Sequence, residues 1–146
     1  MDDFCYRSTT HNYLDEQMIK AYVIALPVFF AIDMIWLALI ARGFYTKHIG
    51  YILAPQVNWM AAIVFYLIFV AGLVFFSIMP AFEKGSVWSA IFYGAFFGFV
   101  TYSAYDLTNL ATVKDWPMIV TIVDLAWGSV LGATVSAATY LILARI

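Results

Sequence analysis

The stretch Gly94-Ala-Phe-Phe-Gly98-Phe-Val-Thr-Tyr102-Ser-Ala-Tyr-Asp106 decides the fold. Its small and polar residues recur every four positions, so in a helix they form one stripe that passes from glycine to a carboxylate. Small residues at this spacing let two helix backbones approach closely inside a membrane. A carboxylate is costly in hydrocarbon and therefore faces a protein interior or a water-filled cavity. The stretch predicts a membrane helix that packs against a partner at one end and borders a polar site at the other.

The composition is typical of a membrane protein. Hydrophobic residues make up 65% of the chain, charged residues 11%, and the mean hydropathy is +0.91, whereas soluble domains carry roughly 25% charged residues. The formal net charge of -2 becomes +1 once the three aspartates inside apolar runs are set apart. This balance gives no indication of nucleic-acid binding. The single cysteine, Cys5, excludes an internal disulfide, and with two histidines it does not supply the usual zinc ligands, so we expect no metal and no cofactor.

Four apolar runs are long enough to cross a bilayer, which takes about 20 residues. They predict an all-α integral membrane protein: a four-transmembrane-helix bundle with both termini on the same side of the lipid bilayer. A polar N-terminal tail, residues 1–18, precedes the transmembrane domain of residues 19–146, and it resembles neither a signal peptide nor a transit peptide. The predicted spans are residues 19–41, 58–79, 86–111 and 116–143.

The fourth run repeats the stripe of the third, because Gly128 and Gly132 lie in line with Asp124 at a spacing of four. Two glycine stripes on helices joined by a short turn indicate an antiparallel pair. We therefore predict that Gly94 and Gly98 face Gly128 and Gly132 across a close helix contact.

The three intramembrane aspartates, Asp33, Asp106 and Asp124, fall in the same half of the bilayer. At 1.5 Å per residue, each lies about 8–12 Å from the span end on that side. Arg42 follows the first span at the same surface and is a candidate ion-pair partner. The pattern predicts a polar pocket open to one side, either as a ligand or proton site or as hydrogen bonding that holds the helices together. Lysines and arginines near the span ends number three on each side, so the orientation is unassigned.

Asp-x-x-Trp occurs twice, as Asp33-Met-Ile-Trp36 and as Asp124-Leu-Ala-Trp127, on helices that run in opposite directions. In each motif the two side chains share a helix face. This indicates a pseudo-symmetric site with Trp36 and Trp127 as its walls, or a chance match in a Trp-rich chain. Tyr102 and Asn109 share the stripe of Asp106 and are expected either in the same site or as its hydrogen-bonding partners.

Several motifs together resemble a family of small bacterial membrane proteins catalogued as a domain of unknown function. The resemblance covers residues 20–143 and implies four helices in a bacterial inner (cytoplasmic) membrane, without an activity. The motifs are Asp33-x-x-Trp36, Arg42-Gly-Phe-Tyr45, Tyr105-Asp106-Leu-Thr-Asn109-Leu-Ala-Thr112, Trp116-Pro117 and Asp124-Leu-Ala-Trp127-Gly128.

Three classes of function are compatible with these patterns. The first is a binding or transport module, forming a homo-oligomer, that holds a small amphipathic or cationic ligand or relays protons at the aspartates. The second is a non-catalytic accessory or assembly subunit of a larger membrane complex. The third is a lipid-modifying membrane enzyme with one carboxyl as acid and another as base, although no nucleophile or metal motif indicates catalysis.

Overall fold

The computed structural model describes the backbone of residues 2–146 and the side chains of residues 15–146, and this part of the chain is helical without any strand. Four of its helices are long and apolar enough to cross a membrane, which confirms the predicted fold class. The protein is therefore an integral membrane protein in contact with lipid. The first to fourth spans are Asp15–Ile40, Trp59–Glu83, Val87–Thr112 and Met118–Leu143.

The described part of the chain forms six α-helices and two π-helical segments, and all but the α-helix Arg42–Ile49 contribute to the spans. The first α-helix begins inside the predicted polar tail, residues 1–18, but residues 1–14 lie outside the described side chains, so the exposure of the tail stays a prediction. The placement of both termini on the same side of the membrane also stays a prediction. The α-helices are Asp2–Ile35, Arg42–Ile49, Trp59–Leu73, Met79–Glu83, Val87–Thr112 and Met118–Leu143, and the π-helical segments are Trp36–Ile40 and Val74–Ile78.

The second span, predicted to end at residue 79, continues through Pro80 to Glu83. A π-helical turn makes this possible: the backbone N–H of Met79 donates to the carbonyl of Val74, five residues back. Pro80 then lies in the first turn of a new α-helical segment, where its missing N–H costs little. The first span ends in a similar turn, in which the N–H of Ala41 donates to the carbonyl of Trp36 at 2.8 Å.

The third and fourth spans touch backbone to backbone at their glycines. A Cβ atom added to Gly94 would overlap the carbonyl of Gly132, and one added to Gly98 would overlap the carbonyl of Gly128. Because the residue numbers rise along one helix as they fall along the other, the two spans are antiparallel. All four glycines are buried.

Aromatic packing joins the first two spans and places their polar residues against the third and fourth spans. The buried ring of Phe29 lies 5.3 Å from the ring of Tyr66 and 5.0 Å from that of Phe69, centroid to centroid. The short helix Arg42–Ile49, here called the connecting helix, is anchored by Ile49, which packs against Trp116 and Val120 near the start of the fourth span. This contact holds the connecting helix against the bundle.

Candidate functional site

Two cavities lie where the polar residues of the bundle meet. The larger, of about 540 Å³, receives residues from the first, second, third and fourth spans and from the connecting helix, and we call it the aspartate cavity. Its polar and aromatic lining comprises Asp33, Trp36, Arg42, Tyr45, Thr46, Phe65, Tyr66, Tyr102, Asp124 and Trp127. The smaller, of about 320 Å³, is called the Asp106 cavity and is lined by Phe65, Phe69, Thr101, Tyr102, Tyr105, Asp106 and Asp124.

Asp33 is buried, with 3% of its surface exposed, and its carboxylate is held by donors from two other spans. The hydroxyl of Tyr66 on the second span donates to Oδ2 at 2.9 Å. The indole Nε1–H of Trp127 on the fourth span donates to Oδ1 at 3.4 Å. Asp33 therefore joins three helices through its own hydrogen bonds.

Asp124 receives a hydrogen bond from the connecting helix. The hydroxyl of Tyr45 donates to Asp124 Oδ1, and Trp36 Nε1–H donates to the Tyr45 oxygen at 3.4 Å. Burial raises the pKa of Tyr45 above its usual value, and the hydrogen bond to Asp124 raises it further. The phenol is consequently neutral at physiological pH and available as a donor.

The two Asp-x-x-Trp motifs are brought together crosswise. The indoles of Trp36 and Trp127 stack with centroids 4.3 Å apart and planes 9° apart. Asp33 is bonded directly to the indole of the other motif, and Asp124 is linked to the indole of the other motif through Tyr45. The stacked indoles and both carboxylates thus form one continuous wall of the aspartate cavity.

Asp106 differs from Asp33 and Asp124 because it has no hydrogen-bond donor among residues 15–146. It is 0% exposed, and neither carboxyl oxygen accepts a hydrogen bond from any donor in the described part of the chain. Its carboxyl faces that of Asp124 across the third and fourth spans. Two carboxylates are both acceptors, so this contact becomes a hydrogen bond only when one of them carries a proton.

The structure divides the other predicted site residues between the cavities, the surface and the helix contact. Tyr102 lines both cavities, and its ring lies against Gly128, where an added Cβ would meet it. Asn109 is half-buried one turn beyond Asp106 and is not part of either lining. Arg42 is exposed and lines the aspartate cavity, and within residues 15–146 it forms no ion pair with an aspartate.

Two tyrosines of the site do not follow from the sequence patterns. Tyr45 lies in the connection between the first two predicted spans, yet its hydroxyl reaches Asp124 inside the bundle. Tyr66 belongs to the second predicted span, residues 58–79, which has no charged residue, yet its hydroxyl donates to Asp33. Tyr66 is the single hydroxyl-bearing side chain in the α-helical part of that span, Trp59–Leu73, and this was the available signal.

The sequence profile of a family described as "Predicted membrane protein (DUF2177)" matches residues 18–141. No curated protein and no solved structure matches the chain.

Proposed function

We propose a function from the premise that this chain belongs to the DUF2177 family of predicted membrane proteins. In this proposal the protein is a binding or transport module for a small organic cation, and the cation occupies the aspartate cavity. The observation that carries the proposal is the pairing of two buried carboxyls, Asp33 and Asp124, with stacked indoles along one cavity wall.

The charge of the lining favours a cation. Asp33 and Asp124 contribute two carboxyls, and the one basic side chain among the lining residues is Arg42, which is exposed. A buried carboxylate in a membrane stabilises a positive ligand because no water is present to solvate either charge separately. The aromatic rings of the wall add attraction for a cation that lies over a ring face.

The size and the remaining lining favour an organic cation with apolar groups. A cavity of about 540 Å³ lies within the range of small-molecule sites, roughly 300–1,000 Å³. Such sites combine mostly apolar walls with a few placed polar groups. Aliphatic residues supply the rest of the lining here, namely Leu37, Ile49, Leu53, Val57 and Ala62. An amphipathic cation can place its charge at the aspartates and its apolar part against these side chains.

The proposal includes self-association in a bacterial inner membrane. The aspartate cavity is contributed by one four-helix bundle, and four helices seldom enclose a path across a bilayer, so transport requires more than one copy. Purified protein in detergent is expected to have the mass of a homo-oligomer in light scattering. If the purified protein is a monomer that binds the cation, the binding part of the proposal stands and the transport part is wrong.

The same-side placement of the termini can be tested with the natural Cys5. In right-side-out vesicles, Cys5 and the substituted cysteine of a C5A/R145C variant should react with an impermeant maleimide from the same face. Labelling from opposite faces would show an odd number of spans.

Tetraphenylphosphonium is a suitable probe because its positive charge is permanent and shielded by apolar rings. We expect saturable binding of the radiolabelled probe to the purified protein, with at least tenfold weaker affinity for Asp124→Asn, because the carboxamide cannot carry the negative charge. Neutral triphenylphosphine oxide should not compete. Glu83→Gln, which changes an exposed carboxylate at the end of the second span, is the matched control and should bind as the wild type does. Equal affinities for wild type and Asp124→Asn would overturn the proposal.

A further inference from the structure

We propose that Asp106 and Asp124 together hold one proton that leaves when a cation enters the aspartate cavity, so that the protein exchanges a cation for a proton. This inference rests on the proposed function and assigns a role to the Asp106 cavity. Its basis is the buried carboxyl of Asp106, which has no donor in the described part of the chain and faces a second carboxyl.

The chemistry of the Asp106–Asp124 pair favours one shared proton. Two acceptors in contact repel each other when both are charged, and a single proton between them converts the repulsion into a hydrogen bond. Elsewhere in the site, Asp33 has two donors and Asp124 has Tyr45. Of the three aspartates, Asp106 is the one without a donor among residues 15–146, and a proton shared with Asp124 supplies the missing hydrogen bond.

The groups around the Asp106–Asp124 pair determine whether its charge is neutralised by a neighbour. The fourth span contributes Asp124, the connecting helix contributes Tyr45, and the third span contributes Tyr102 and Tyr105. In the Asp106 cavity the second span contributes the rings of Phe65 and Phe69, and in the aspartate cavity Asp33, Tyr66 and Arg42 line the same space as Asp124. The described lining of the Asp106 cavity contains no lysine, arginine or histidine. The exposed Arg42 forms no ion pair with either carboxyl within residues 15–146.

Asp124 lines both the aspartate cavity and the Asp106 cavity. A cation in the aspartate cavity therefore lies beside one member of the proton-holding pair. Its charge favours the ionised form of both carboxyls, and the proton leaves through the aspartate cavity to solvent. One positive charge enters and one leaves, so the net charge buried in the membrane is unchanged, which avoids the cost of an additional intramembrane charge.

In this scheme the two carboxyls differ in role. Asp124 contacts the cation and passes the proton, and Asp106 is a positioning residue that holds the proton while the cavity is empty. Asp106→Asn replaces the protonated carboxyl with a carboxamide, whose N–H can still donate to Asp124 but cannot be released. This variant separates proton exchange from cation binding.

The test measures tetraphenylphosphonium affinity as a function of pH, because the probe itself has no titratable group. If one proton leaves for each cation bound, the Kd of the wild type falls about tenfold per pH unit as the pH rises through the range in which the pair is protonated. The Kd of Asp106→Asn should be nearly independent of pH over the same range, while Glu83→Gln should follow the wild type.

A second measurement needs no variant. Addition of the probe to wild-type protein in weakly buffered detergent solution should release about one proton per cation, detected with a soluble pH indicator. Saturable binding without proton release, or an identical pH slope in Asp106→Asn, would overturn the exchange and leave the binding proposal intact. Absence of saturable binding at any pH would overturn both, so the two failures are distinguishable.

Discussion

The glycine half and the aspartate half of the bundle use the same two helices in opposite ways. At Gly94, Gly98, Gly128 and Gly132 the backbones of the third and fourth spans touch, and no room remains for a side chain. Farther along, the ring of Tyr102 lies against Gly128, and cavities open on either side of Asp124. Close packing at one end thus fixes the helix pair, so that cavities and partly unpartnered polar groups are tolerated at the other.

Gly98→Leu should break the glycine half and have the largest effect on stability. A side chain at this position overlaps the carbonyl of Gly128, which is backbone and cannot move without separating the helices. We expect a loss of about 3 kcal/mol in the free energy of unfolding, measured by denaturation in detergent. Val130→Leu, on an exposed position of the fourth span, should change it by less than about 0.5 kcal/mol. Equal stability of the two variants would show that the glycine contact does not hold the pair.

Asp33→Leu tests the well-partnered part of the aspartate half. It leaves the hydroxyl of Tyr66 and the indole N–H of Trp127 without their acceptor, which should cost about 1–2 kcal/mol of stability. Asp33→Asn keeps an acceptor oxygen at the same place and should lose much less. Loss of the same size in both variants would mean that the charge of Asp33, and not its hydrogen bonds, stabilises the bundle.

Asp106→Leu sharpens the contrast within the aspartate half, because Asp106 has no protein donor among the described residues. Its removal leaves no protein donor unpaired, and the lost hydrogen bond through the proton shared with Asp124 is offset because a buried carboxyl is also removed, so we expect the free energy of unfolding to change by less than about 0.5 kcal/mol. The change is therefore much smaller than that of Asp33→Leu. A destabilisation as large as that of Asp33→Leu would show that Asp106 holds the bundle together.

Tyr45→Phe should have the smallest effect of the variants in this series. It should leave the pH titration of the protein's ordinary tyrosines unchanged. The pKa of Tyr45 is raised by burial and by its bond to Asp124, so its phenol stays protonated while ordinary tyrosines, with pKa about 10, ionise. Absorbance at 295 nm should therefore rise identically in wild type and Tyr45→Phe until about one pH unit above that value. A smaller rise in the variant over this range would show that Tyr45 ionises as an exposed tyrosine does.

The sequence predicts the features that small and charged residues mark, and it misses the hydrogen bonds that Tyr45 and Tyr66 donate. Lipid is as apolar as a protein core, so hydrophobicity does not distinguish the inward face of a membrane helix from the outward face. Glycines and aspartates do make that distinction, and the structure brings Gly98 to Gly128 and Asp106 to Asp124. Tyrosine is common on both faces, which is why the contacts of Tyr45 and Tyr66 were not predictable.

The position of Asn109 shows a second limit of sequence patterns. Its spacing of three from Asp106 placed it on the polar stripe, but the cavities end before its turn of the helix. A stripe gives the direction in which a side chain points and not the length of the cavity it points toward. The length of the cavity depends on how the second span and the connecting helix pack over the third and fourth spans. Such packing between separate elements is not encoded in the residue spacing of one helix.

The π-helical turns have a consequence for how the chain can vary among relatives. A π turn contains one residue more than an α turn, because its hydrogen bond spans five residues instead of four. A genetic deletion of one residue within Trp36–Ile40 would convert that turn to α geometry and leave Asp33 and Tyr45 in their present relation. The same deletion within the α-helical turn just before Asp33 would rotate the aspartate by about 100° relative to the preceding part of the helix, away from Tyr66 and Trp127. Single-residue gaps in this family should therefore accumulate in the π turns and be absent next to the aspartates.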